Sequence, residues 1–150
     1  MAMATPEAAG GAELRWTAPE GWKELPGEGM RIATFEPPQD SGRVEGTVVA
    51  LIGDAGGELA NVNRWRGQIS LTPIEEDGLG ALRRSVHSGV GDISLYDFTG
   101  GDAAKTRMLA GMIKVGEKTW FFKLTGAQKA AEAARPAFLK LLEGLSTHEA

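Results

Sequence analysis

The chain has 150 residues, 42% of them hydrophobic and 24% charged, with no cysteine and a formal net charge of −4. That length suits one domain with one core, and the composition argues against disorder. The missing cysteines exclude disulfides, thiolate metal sites and thiol nucleophiles, and the acidic balance withholds the summed positive field that a dedicated nucleic-acid binder needs.

Residues 1–13, rich in alanine and glycine, read as a flexible linker, which leaves 14–147 as the single domain. From Leu14 to Leu25, with Trp16 and Trp22 around Pro19 and Gly21, the pattern is a short strand, a turn and a second extended piece. Met30 to Phe35 reads as a strand that Pro37 and Pro38 end, because proline cannot donate to a ladder. Gly46 to Ile52 is the clearest strand. Val48, Ala50 and Ile52 share one face and Val49 and Leu51 the other, so it is expected in the sheet interior with cover on both sides.

The turn Gly53–Gly57 leads into Glu58–Ser70, where Leu59, Val62, Trp65 or Arg66, and Ile69 recur at helical spacing. Asn61, Arg64 and Gln68 form a polar stripe on another face. Thr72-Pro73-Ile74-Glu75 fits a capped helix start with Thr72 as the cap, and the helix runs to about Leu82. Val86 to Phe98 alternates like a strand. Met108–Val115 and Thr119–Leu124 read as a hairpin around Gly116-Glu117. Ala127–Leu145 is the last helix, with Ala130, Ala134, Phe138, Leu141 and Leu145 as its apolar stripe. Pro136 inside it predicts a kink or break near Arg135. The fold class is therefore α+β: a central, mostly antiparallel sheet flanked by helices on both faces. No run approaches the ~20 apolar residues of a membrane-spanning helix.

Three stretches carry a family resemblance. They are Trp16-Thr17-Ala18-Pro19-Glu20-Gly21-Trp22, the turn Gly53–Gly57 with Asn61-Val62-Asn63-Arg64-Trp65-Arg66-Gly67-Gln68, and Lys118–Gly126 with the closing helix around Phe138. Together they make the chain from Leu14 onward resemble a bacterial family of uncharacterised, mostly exported proteins, often lipoproteins, related in fold to the Mog1/PsbP-like group. The resemblance implies an α/β/α sandwich and an extracytoplasmic setting, periplasmic or by a lipid anchor on the uncut precursor. Mog1 and PsbP are non-enzymatic accessory proteins, and their partner-binding residues have no counterparts in this sequence.

The glycine-rich turn has two readings. A strand–turn–helix junction can hold an anion on backbone N–H groups, but Asp54 would repel phosphate, and the turn lacks the P-loop pattern. In the other reading Asp54 caps backbone donors of a tight turn. Asn61, Asn63, Arg64, Trp65, Arg66 and Gln68 likewise form either a ligand or partner surface, or a structural set: Trp65 in the core, the asparagines tying loops, and Arg64 or Arg66 paired with Asp54 or Glu58. His87 beside Ser85 and Ser88 lacks the oriented contacts of a nucleophile–base pair. His148 falls in a tail, and two lone histidines make no zinc set. Glu75-Glu76-Asp77 fits a solvated first turn. Trp16, Trp22 and Trp120 could stack a ligand but fit core positions.

These readings lead to a non-catalytic binding or accessory module for a protein or small-molecule partner, without cofactor or metal. Its working surface is Asp54 and the Asn61–Gln68 helix. The alternative is a hydrolase-type enzyme using Asp54 or His87 with an arginine. A homo-oligomer stays open.

Overall fold

The computed structural model describes residues 14–103 and 105–147. The linker expected over 1–13 and the tail residue His148 lie outside the described residues. The elements are β1 (Leu14–Arg15), β2 (Lys23–Pro26), β3 (Arg31–Glu36), β4 (Val44–Ile52), α1 (Glu58–Gln68), α2 (Glu76–Leu82), β5 (Arg84–Ser88), β6 (Gly91–Thr99), β7 (Arg107–Val115), β8 (Lys118–Gly126), α3 (Gln128–Glu143) and β9 (Ser146–Thr147). Seven strands make one antiparallel sheet in the order β2-β3-β4-β8-β7-β6-β5, and β1 pairs with β9 in a separate two-stranded sheet.

The period-2 pattern explains the two cores. β4 sits inside the sheet, paired to β3 and β8. Successive residues of a strand point to opposite faces, so Val48 is fully buried towards α3 while Val49 faces the other way. The α3 face buries Phe35, Val48, Leu109 and Phe122 against Ala134 and Phe138. Leu14 joins this core, and Trp16 packs edge-on against Phe35, Trp120 and Phe122. The opposite face packs Tyr96, Phe98, Met108 and Phe121 beneath Trp65 of α1 and Leu79 of α2. The arrangement is an α+β fold with helices on both faces of the sheet. Among the described residues no helix is long and apolar enough to cross a membrane.

Several local expectations change. Val86–Phe98 is two strands, β5 and β6, because Ser88 Oγ donates to the Gly91 carbonyl at 2.6 Å and accepts from Val90 N–H at 3.2 Å, which fixes a tight turn. Thr72 is not a cap. α2 begins only at Glu76, and the preceding segment is pinned to α1: Asn63 brackets the backbone N–H and carbonyl of Ile74. α3 runs unbroken through Pro136. Pro136 and Glu132 lie on the exposed side, so the carbonyl that proline leaves unpaired meets solvent. Ile52, expected on the buried face of its strand, is 80% exposed at the strand end.

One polar clamp fastens α3 to the sheet. Arg107 grips Asp97 with two bonds of 2.6 and 2.8 Å, and Arg135 of α3 reaches the same carboxylate at 3.2 Å. Burial pushes the Asp97 carboxyl up, but the bonds and charges of the two arginines outweigh it and hold it below its ordinary value.

Candidate functional site

The turn before α1 is built by backbone geometry. Gly56 and Gly57 take φ of +92° and +94°, which side chains disfavour. Ala55, at φ +54°, is held there because its carbonyl accepts a bond from Asn61 Nδ2, which also reaches the Gly57 carbonyl. Asp54 does not cap the helix. The α1 N-cap is Gly57 with no side-chain cap bond, and Asp54 pairs with Lys114 at 2.9 Å. Neither Arg64 nor Arg66 pairs with Asp54 or Glu58. Glu58 instead takes Arg83 at 2.9 Å and the Tyr96 hydroxyl, which donates to the same oxygen. Burial first, and then Glu58, push Tyr96 up to about 12, so it stays a donor across the physiological range.

The polar residues of α1 divide by what they touch. Asn61 is fully buried and holds the turn. Asn63 holds the segment before α2. Trp65 is 2% exposed and stacks edge-on with Phe121, its ring centroid 5.9 Å away. Arg66 donates to the Thr72 carbonyl at 2.7 Å and lies over the Phe98 ring at 5.4 Å. Arg64 and Gln68 remain on the outer side, where they border a groove of about 390 Å³. Asp54 does not line it.

This groove exists because α1 and α2 cover β6, β7 and β8 but leave much of the β4 face open. Thr47, Val49 and Leu51 there are only half-buried, whereas Val48 on the α3 face is fully buried. Along β4 the groove wall grades from Glu45 through Thr47 to Val49 and Leu51. On the paired strand β8, Thr125 lies opposite Glu45, Lys123 opposite Thr47 and Phe121 opposite Val49. One end is therefore polar and the other apolar.

Lys123 is the charge that sequence reading missed. Its ammonium donates to Gln68 Oε1 at 3.1 Å. Burial lowers its pKa first, then the nearby charges of Arg64 and Arg31, with Glu45 opposing them. Glu45 is engaged by Arg31 at 3.5 Å. Among the described residues no carboxylate is in ion-pair contact with Lys123 or Arg64. The signal was present in Trp120-Phe121-Phe122-Lys123-Leu124: a lone lysine in a strand interior must surface on one face of the sheet.

The alternative pair keeps separate partners. His87 Nδ1 contacts Asp92 at 3.0 Å on an exposed edge strand, while Asp54 is held by Lys114. The hollow that Asp54 lines reaches Asp92 but not His87. No group of metal-ligating side chains forms among the described residues.

No family model matches the chain, and no curated protein does either. Solved structures do. A protein from Bacteroides thetaiotaomicron superposes with a TM-score of 0.56 at 14% identity over 91% of this chain, which spans only 45% of that one. LpqN, involved in cell envelope biogenesis of Mycobacterium tuberculosis, gives 0.54 at 12% identity, over 91% of this chain and 83% of LpqN. The cyanobacterial PsbP of Synechocystis sp. PCC 6803 gives 0.55 at 14% identity, over 96% of this chain and 98% of its own. At these identities the likeness is one of fold. An antiparallel seven-stranded sheet between helices, matched over nearly the full length of a PsbP, gives this chain the Mog1/PsbP-like fold.

Proposed function

We propose that the chain is a non-catalytic binding module that works outside the cytoplasm, with the groove beside α1 as its working surface. One observation supports the reading above the others: Lys123 and Arg64 border a concave, partly apolar surface with no carboxylate paired to them among the described residues. Lys123 is half-buried with no carboxylate in ion-pair contact among the described residues; such a cation costs stability, and costs of that kind are kept where they serve a ligand. The groove volume of about 390 Å³ falls in the ~300–1,000 Å³ range of small-ligand sites. The setting draws on LpqN, which shares the fold and is involved in cell envelope biogenesis. A periplasmic or lipid-anchored location fits that relationship.

The test is to titrate the isotope-labelled chain with aqueous and organic-soluble fractions of the source cell's envelope while following its backbone amide resonances. Shifts should gather at Thr47, Arg64, Gln68 and Lys123, and the added material should be recovered unchanged. Shifts spread evenly over both faces, or chemical turnover of a component, would overturn the reading.

A further inference from the structure

We propose that the groove takes a small amphiphilic oxyanion: a carboxylate or phosphate head between Arg64 and Lys123, and a short apolar body along Val49, Leu51 and Phe121. This rests on the binding reading above and names its ligand class.

Two independent features converge on that class. The first is charge. Three cations, Arg31, Arg64 and Lys123, and one carboxylate, Glu45, line the groove of a chain whose formal net charge is −4. The local field therefore opposes the field of the whole molecule. Arg31 already faces Glu45 at 3.5 Å, so Arg64 and Lys123 are the pair without a carboxylate partner among the described residues. Arg64 gives one bond to Asn61 Oδ1 at 2.7 Å, which fixes its guanidinium at the groove rim, and Lys123 gives one to Gln68. An arginine fork and an ammonium both favour an oxyanion, and the bonds they make to one are the stronger, charge-assisted kind. Thr47 and Thr125 add hydroxyls at the same end.

The second feature is the gradient along β4 and β8. The face that begins with Glu45 and Thr125 ends with Leu51, with Val49 and Phe121 between. A free inorganic anion would use only the polar end. A neutral apolar molecule would leave the cations desolvated and unpaired. A ligand with one charged head and one apolar body satisfies both ends at once.

The probes are octanoate and octyl phosphate, with octanol, octylammonium and acetate as controls, each titrated against the full chain by calorimetry and amide shifts. At least one of the two amphiphilic anions should bind at the groove, and which of them binds tighter identifies the head. Acetate and octylammonium should bind at least about tenfold more weakly, and added salt should weaken the anion. Lys123→Gln and, separately, Arg64→Gln should each reduce anion affinity about tenfold or more. Lys140→Gln, on exposed α3 surface, should leave it unchanged. Octanol binding as tightly as both anions, or Lys123→Gln and Arg64→Gln both binding as the parent does, overturns the proposal. Failure of both anions to bind overturns it too. In that case envelope-fraction shifts still gathered at the groove would leave the binding reading standing, and their absence would remove both.

Discussion

Two charges on opposite faces of the large sheet, Asp97 and Lys123, are treated in opposite ways. On the α3 face, Asp97 lies between Arg107 and Arg135 with every contact at hydrogen-bond distance. On the α1 face, Lys123 is half-buried, faces Arg64 and Arg31, and bonds only a neutral amide among the described residues. The first face is closed by a helix of sixteen residues; the second is covered by two shorter helices that leave the β4 side open. A paired charge locks two elements together, as Glu58 with Arg83 also does on the α1 side, whereas an unpaired one is a standing cost, so the two sites differ in what they serve. One holds the fold, and the other presents chemistry to solvent.

The largest effect should come from breaking the paired side. Asp97→Asn removes the carboxylate while Arg107, with its side chain only 17% exposed, stays in place. Stranding a partly buried guanidinium should cost about 2–3 kcal/mol, read as a shift in the urea midpoint at constant slope. The pH dependence has a definite sign. The folded pKa of Asp97 is below the ordinary 3.8, so its stabilisation is full above that value and is lost as pH falls through the folded pKa. The gap between parent and variant should therefore persist from neutral pH down to about pH 5 and narrow in more acidic solution. A gap that is the same in strong acid would mean that the clamp is not electrostatic.

A finer comparison lies within α1, between two arginines two positions apart. Arg66 carries a backbone bond and a ring contact, and both tie the segment after α1 to the sheet. Arg66→Ala should cost about 1 kcal/mol, which for a chain of this size lowers Tm by roughly 2–4 °C. Arg64→Ala takes a donor from the Oδ1 of buried Asn61, but the side chain removed is exposed, so water reaches that oxygen in its place and the loss should be the smaller of the two, about 0.5 kcal/mol. Thermal unfolding of the two variants side by side decides it. The reverse order would make Arg64 structural and take it out of the groove.

Much of this division was legible in the sequence. The alternation in Val48–Leu51 placed β4 inside the sheet, and the helical spacing of Val62, Trp65 and Ile69 gave α1 its buried stripe. What stayed hidden was long-range. That Asn63 ties a loop was one reading of the sequence, but its partner, Ile74 eleven residues on, was not visible there. Asp54 looks like a cap until Lys114, sixty residues on, claims it. The β5–β6 turn was lost because Ser88 acts through its hydroxyl, where the hydrophobic pattern carries no mark. Lys123 was missed because the groove is made by what does not cover β4, and local periodicity reports which residues face a surface but not which part of that surface a helix leaves bare.

One small expected effect has the opposite sign to the loss at Asp97 and Arg66. Lys123→Met keeps the length of the side chain and removes a cation that burial, Arg64 and Arg31 disfavour, with only Glu45 opposing them. The variant should be more stable than the parent at neutral pH, by up to about 1 kcal/mol. The folded pKa of Lys123 is below the ordinary 10.5. The parent therefore bears the full penalty below its folded pKa and sheds it as pH rises towards 10.5, where the unfolded chain also loses its proton. The advantage of the variant should accordingly be complete at neutral pH and shrink in alkaline solution, measured by urea unfolding at both. A Lys123→Met chain less stable than its parent at neutral pH would mean that the ammonium is a net stabiliser where it sits. The groove end of the α1 face would then be held together by its charges, as Asp97 holds the α3 face.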